Sequence, residues 1–201
     1  MEEIPSWNVM LHNIYATPIY ISNNNFNTLI DERVELIRTT YDISNPWNDG
    51  AHSSFKNGKT KDCKIKHFND LPEFIESISM QINNYILAVG GKNIKFSIDE
   101  SWVNFTNKDE YQHFHMHPTY DIVGVYYFKA NKNGYIQLEN PVAVSEYSKF
   151  PNNISKISPV CIEPETGMLL LFPSWLRHAV YKNSTNEERI SISFNIKIND
   201  T

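Results

Sequence analysis

The chain has 201 residues, of which 41% are apolar and 20% charged, with a net charge of −5 at neutral pH. That length suits one well-buried domain, and the composition excludes collagen-like and disordered classes. No run approaches the roughly 20 apolar residues of a membrane-spanning helix, and no Lys/Arg cluster offers a footprint for nucleic acid.

Residues 14–22 read as an early strand, with Pro18 arguing for an edge position. Asn24 and Asn25 offer caps for a helix over 26–40, whose buried stripe is Phe26, Leu29, Ile30, Val34 and Ile37. Residues 42–68 carry Asn45-Pro46, Asp49-Gly50 and Asn57-Gly58 and read as a long loop, with room for a hairpin. A second helix follows, capped by Asn69 or Asp70, with Pro72 in its first turn and Gly90-Gly91 at its end. Leu71, Phe74, Ile75, Ile78, Ile82 and Ile86 form its apolar face.

After Gly91 the period changes from 3.6 to 2. Strands are predicted over 94–106, 111–117, 120–129, 134–139, 159–163, 167–172 and 189–198, with a hairpin turn around Asn131 and Asn133-Gly134. So many short strands favour a sandwich or barrel over a parallel sheet. The expectation is a single α+β domain, mainly β, with both helices on the outside of one sheet. Residues 1–93 would be a supporting helical and loop region, and residues 94–201 the β core.

The only cysteines, Cys63 and Cys161, form no C-x-x-C pair, so thiolate-held zinc is not expected. Two separated thiols, and a start lacking the layout of a signal peptide, make cytoplasm the expected location.

Three of the seven histidines fall within five positions, in Tyr111-Gln-His113-Phe-His115-Met-His117-Pro118. Period-2 geometry puts His113, His115 and His117 on one strand face, where imidazoles can converge on a divalent ion. About sixty residues later an apolar run ends in Phe172-Pro173-Ser174-Trp175-Leu176-Arg177-His178, which makes His178 a candidate third ligand through barrel closure. The last strand alternates cleanly: Ile190, Ile192, Phe194 and Ile196 on one face, Arg189, Ser191, Ser193 and Asn195 on the other. If the polar face lines a lumen, Arg189 can grip a carboxylate, with Ser191 as a second donor.

From Trp102 to Asn195 these residues resemble the non-haem iron(II), 2-oxoglutarate-dependent oxygenases, and more narrowly a group of such oxygenases common in marine bacteria and their phages. The resemblance rests on His115-x-His117-Pro118, Gly124-Val-Tyr126-Tyr127, Leu138-Glu-Asn-Pro141, Leu171-Phe-Pro-Ser-Trp-Leu-x-His178 and Glu188-Arg189-Ile-Ser191-Ile-Ser193-Phe194-Asn195. It implies a double-stranded β-helix, a jelly roll of the cupin kind. It also implies iron(II) and 2-oxoglutarate as cofactors, O2 as co-substrate, and hydroxylation of an unidentified substrate. In that reading His115 and His178 bind iron, and the i+2 geometry of His117 with His115 makes it the third metal and catalytic residue. Arg189, Ser191 and Tyr127 hold the distal carboxylate of 2-oxoglutarate, and Asn104, with Trp102, shapes the pocket. The substrate would be a small molecule or a protein side chain, and the location the host cytoplasm if the gene is a phage's.

The chain departs from the superfamily pattern at one ligand, where His117 stands in place of an Asp or Glu. Asp121 and Glu139 are alternative carboxylates, and His113 is a reserve ligand. A cupin-like metal protein using no 2-oxoglutarate is the alternative function, echoed in His115-x-His117-x3-Asp121, Gly167-x5-Pro173 and His178. Arg189 and Ser191 discriminate, because such a cupin does not need them. A third reading is a binding module on the same barrel. Substrate choice would lie in loops 42–68 and 140–158.

Overall fold

The computed structural model describes residues 16–40, 43, 52–55, 66–92, 94–131, 134–141 and 159–199. In chain order these contain β1 (Tyr20–Asn23), α1 (Asp31–Thr40), β2 (His52–Ser53), α2 (Pro72–Ala88), β3 (Lys95–Thr106), β4 (Gln112–His115), β5 (Ile122–Lys129), β6 (Ile136–Leu138), β7 (Val160–Ile162), β8 (Met168–Pro173), β9 (His178–Val180) and β10 (Arg189–Asn199). The strands form a six-stranded sheet, β1-β8-β5-β10-β3-β2, and a four-stranded sheet, β4-β9-β6-β7. Every described strand pair is antiparallel. Two facing antiparallel sheets connected in this way are a double-stranded β-helix, as expected.

Strand alternation sorts the larger sheet into two faces. Outward, Val103, Phe105, Tyr126, Leu169, Leu171, Ile190, Ile192, Phe194 and Ile196 share one apolar cluster with Ile30, Val34 and Ile37 of the α1 segment and Phe74, Ile78, Ile82 and Ile86 of α2. Both helices therefore cover the outside of this sheet. Inward, Val123, Val125, Leu170 and Phe172 pack against Ile136 and Leu138 of the smaller sheet. The rest of the inner face, from β10 and β3, is polar.

Several local expectations shift. The first helix begins with a 3-10 turn at Asn27–Leu29, and α1 proper starts at Asp31. Neither predicted cap serves α2, whose N-cap is Leu71 without a side-chain bond. Asp70 instead accepts two bonds from Arg33, at 2.6 and 2.8 Å, and Asn69 donates to the Ile98 carbonyl at 3.0 Å. Inter-element partners outcompete the local cap. Gly90, at φ +89°, does end α2, and the Gly91 amide donates to the Ile86 carbonyl at 2.8 Å. Strand β1 is an edge strand beginning just after Pro18. Within 42–68 lies β2, a short edge strand on β3. The three dipeptides of that loop, Cys63, the turn at Asn133 and residues 142–158 lie outside the described residues.

Candidate active site

The inner face of β10 and its neighbour β3 make a ladder of polar residues. Arg189 faces Thr106, Ser191 faces Asn104, Ser193 faces Trp102, and Asn195 faces Glu100. From Arg189 to Asn195 the ladder spans about 20 Å at strand rise. These residues line a cavity of about 390 Å³ with His115, His117, His178, Tyr127, Val125 and Ile136. That is the size of a small-molecule site.

Three imidazoles meet over this ladder. His115 of β4 is register partner of His178 of β9, and their ring centroids lie 4.3 Å apart. His117 follows β4, held by its amide to the Ser174 carbonyl at 3.0 Å, and its ring is 5.3 Å from each of the other two. One ring nitrogen from each of the three lies within 4.8 Å of the others.

The tautomers follow from the neighbours. His115 Nδ1 lies 2.8 Å from the His113 carbonyl and His178 Nδ1 lies 2.9 Å from the Leu176 carbonyl. A carbonyl only accepts, so each Nδ1 carries the proton and each Nε2 keeps its lone pair. His117 Nδ1 lies 2.5 Å from Asn195 Oδ1, and the Asn195 amide donates to Glu100 at 2.6 Å. Three Nε2 lone pairs thus remain for one ion, each backed by the outer hydrogen bond typical of metal-bound histidine. Burial lowers the pKa of His117 to about 4, and that of His178 well below its ordinary value, so both rings are neutral at physiological pH.

At the other end of the ladder Arg189 is 2% exposed. Its Nη1 donates to the Gly134 carbonyl at 2.7 Å, while Nε is buried with no partner. No carboxylate pairs with it among the described residues. A buried guanidinium left in this state is costly unless an anion joins it. Tyr127 borders the same end, its hydroxyl pushed up to about 12 by burial, against the opposing pull of Arg189.

The sequence of residues 100–195 matches the family described as "Putative 2OG-Fe(II) oxygenase". Over this segment, just under half of the chain, the protein carries the sequence pattern of the 2-oxoglutarate/iron(II) oxygenases. No curated protein matches it by sequence. Solved structures share the fold. A 2OG-Fe(II) oxygenase family oxidoreductase from Burkholderia pseudomallei is 12% identical, with a TM-score of 0.59 over 89% of this chain and 84% of that one. A prolyl hydroxylase from Trichoplax adhaerens, in complex with a peptide of hypoxia inducible factor, is 17% identical, TM-score 0.57, covering 89% and 83%. HygX from Streptomyces hygroscopicus, with nickel, 2-oxoglutarate and hygromycin B bound, is 11% identical, TM-score 0.58, covering 90% and 83%. The family match and the three converging histidines support an oxygenase dependent on iron(II) and 2-oxoglutarate over the cupin and binding-module alternatives.

The residues of the oxygenase fit both cofactors. Three imidazoles offer nitrogen donors of the kind iron accepts. Arg189, with no carboxylate partner among the described residues, offers a grip for one. Ser191 lines the cavity two residues along the same strand face. Asn104 also lines it, yet its polar atoms are occupied: the amide donates to Ser193 Oγ at 3.0 Å, and the carbonyl accepts from Ser53 at 2.8 Å and Trp102 at 3.2 Å. It acts as a brace between β2, β3 and β10. Trp102 stacks near-parallel on His117, at 6.1 Å and 18°.

The reserve candidates lie elsewhere. His113 does not share a side with His115, because the β4–β9 register shifts between Gln112 and His115. Gln112 therefore lines the cavity while the exposed His113 ring packs on Tyr111 at 5.0 Å. Asp121 accepts the Ile198 amide at 2.7 Å, and Glu139 pairs with Arg177 at 3.2 Å. Neither borders the cavity. Sequence reasoning missed Asn195 as the partner of His117, Glu100 behind it, and Gly134 beneath Arg189. Only the inward parity of Asn195 signalled any of them. Among the described residues no helix is long and apolar enough to cross a membrane.

Proposed function

We propose that His115, His117 and His178 hold iron(II) through their Nε2 atoms, and that Arg189, with Ser191 and Tyr127, receives the distal carboxylate of 2-oxoglutarate. When bound, iron(II) and 2-oxoglutarate supply O2 activation coupled to oxidative decarboxylation of the keto acid. The chain's own residues do the rest. The outer hydrogen bonds on each Nδ1 keep the three rings aimed at one point. The buried wall of Val125, Tyr127 and Ile136 keeps water from the Arg189 end, which strengthens the guanidinium's hold on a diacid.

The enzyme acts as a hydroxylase of a small molecule or a protein side chain, in one domain over residues 1–201, in the cytoplasm. Support for the two substrate classes comes from neighbours of this fold, one seen with a peptide and another with hygromycin B. The net charge of −5 disfavours nucleic acid. The observation that carries the reading is the Arg189 guanidinium, buried with no carboxylate partner among the described residues, in the cavity that holds the three histidines.

Thermal unfolding with manganese(II), then with added 2-oxoglutarate, tests it. A ligand at a hundred times its Kd stabilises by about 2.7 kcal/mol, an easily read shift. His115→Ala should lose the shift due to metal. Arg189→Ala should keep that shift and lose the further one due to 2-oxoglutarate. If the keto acid stabilises Arg189→Ala as much as the parent, the assignment of Arg189 is wrong.

A further inference from the structure

Three imidazoles bring no charge to a metal. A dipositive ion, a dianionic keto acid and the Arg189 guanidinium together leave one net positive charge in the cavity. A ligating carboxylate would cancel it, and this chain has His117 at that position. The cavity nevertheless contains a carboxylate. Glu100 lines it, and no Lys or Arg among the described residues forms an ion pair with it.

Glu100 is joined to the metal-side histidine by two short hydrogen bonds. Its Oε2 accepts from Asn195 Nδ2 at 2.6 Å, and Asn195 Oδ1 faces His117 Nδ1 at 2.5 Å. The direction of the chain is forced. A carboxylate only accepts, so the Asn195 amide nitrogen must face Glu100 and its carbonyl must face His117. The His117 proton is thereby fixed on Nδ1. Asn195 is 3% exposed and register partner of Glu100, so the amide that joins the two residues is buried. The indole of Trp102, stacked on His117, closes the remaining side. Asn195 and Glu100 lie 78 and 95 residues from their respective partners, and only strand pairing unites them.

We infer that Glu100, acting through Asn195, is a positioning residue that takes the place of the missing ligand carboxylate: it fixes the His117 tautomer and supplies the compensating negative charge two hydrogen bonds from the ring. The inference rests on the proposal that His117 is a metal ligand. Loss of such an outer partner typically weakens metal binding roughly 10- to 100-fold.

Calorimetric titration of the apoprotein with manganese(II) tests this, alongside the Tm of each apoprotein. The parent should bind the ion and His115→Ala should not; if the parent fails to bind, or His115→Ala binds as well, the site reading itself is wrong. Glu100→Gln should weaken binding about tenfold or more while its apo Tm stays near the parent's. The double variant Glu100→Gln, Asn195→Asp should restore binding. It keeps both hydrogen bonds, with the Gln amide donating inward, and moves the carboxylate one residue nearer to His117. A purely structural Glu100 would not be rescued by displaced charge. Glu100→Gln binding within twofold of the parent, or no recovery in the double variant, would overturn the inference and leave the three-histidine site standing.

Discussion

Replacing Gly134 by alanine should strip the oxygenase of most of its affinity for 2-oxoglutarate without touching its metal affinity. A Cβ at this position would fall upon Arg189 Nη1, with Cζ only 2.9 Å and Cδ 3.2 Å away. The guanidinium must leave its 2.7 Å bond to the Gly134 carbonyl. Being 2% exposed, it has only the cavity to move into, the space proposed for the ligand's carboxylate. A hydrogen bond to a charged group contributes about 1.5–3 kcal/mol, so losing one of the bidentate pair corresponds to roughly 10- to 150-fold in Kd. The three histidines reach the cavity from the other sheet and from its far end, so manganese(II) binding should stay within twofold. Calorimetry with 2-oxoglutarate on the metal-loaded protein reads the effect directly. A keto-acid Kd within twofold of the parent would show that Arg189 does not meet the ligand from its Gly134 side.

Three further outcomes follow from packing and burial. Phe194, fully buried between sheet and helices and 6.0 Å from the Phe74 ring, should cost about 3–5 kcal/mol of stability when cut to alanine, read as a lower denaturation midpoint. Arg38 pairs twice with Glu188, at 2.9 and 2.8 Å, and lies 4.3 Å over the Phe105 ring. Its pair is partly exposed, so Arg38→Ala should cost only about 1 kcal/mol, with part of that lost in high salt. Burial pushes Tyr85 and Tyr127 up to about 12. A raised native pKa means the unfolded chain releases its protons first, so this stability is whole below about pH 10 and is lost as pH rises toward 12. Tm measured across that window should fall, and the Tyr85→Phe variant should flatten the slope; an unchanged slope would refute the contribution.

Periodicity carried most of the fold into view. The alternation in Arg189–Asn199 named both faces of β10 correctly because each face is buried for a different reason, one under helices and one over the cavity. That His115, His117 and His178 would converge, with Arg189 in the same cavity, was legible because such residue types rarely share one strand face by accident. What escaped notice depends on register and on contacts across the sheet. A shift in β4 turned His113 outward, and period 2 has no term for a bulge. The predicted caps Asn69 and Asp70 found partners in β3 and α1. Asn195 and Glu100 look like ordinary polar strand residues until β10 and β3 pair. Gly134 reads as a turn glycine, yet its lack of a side chain is what admits Arg189.

If the three histidines hold the metal and Arg189 the diacid, the geometry also sets the spacing between the two. The histidines come from the β4–β9 side, and Arg189 comes from the larger sheet. Their separation is therefore fixed by the apolar layer between the sheets, where Val125, Leu170 and Phe172 meet Ile136 and Leu138. Such a layer is close-packed and resists compression, so a change of one methylene there is transmitted to both sheets. The helices act on the same spacing from outside, since they bury the face of β10 opposite Arg189, Ser191, Ser193 and Asn195 and so hold that strand against the cavity. A site assembled across two sheets demands a stiff core and leaves the loops free to differ. Chemistry in this fold is consequently set by the inward parity of a few strands.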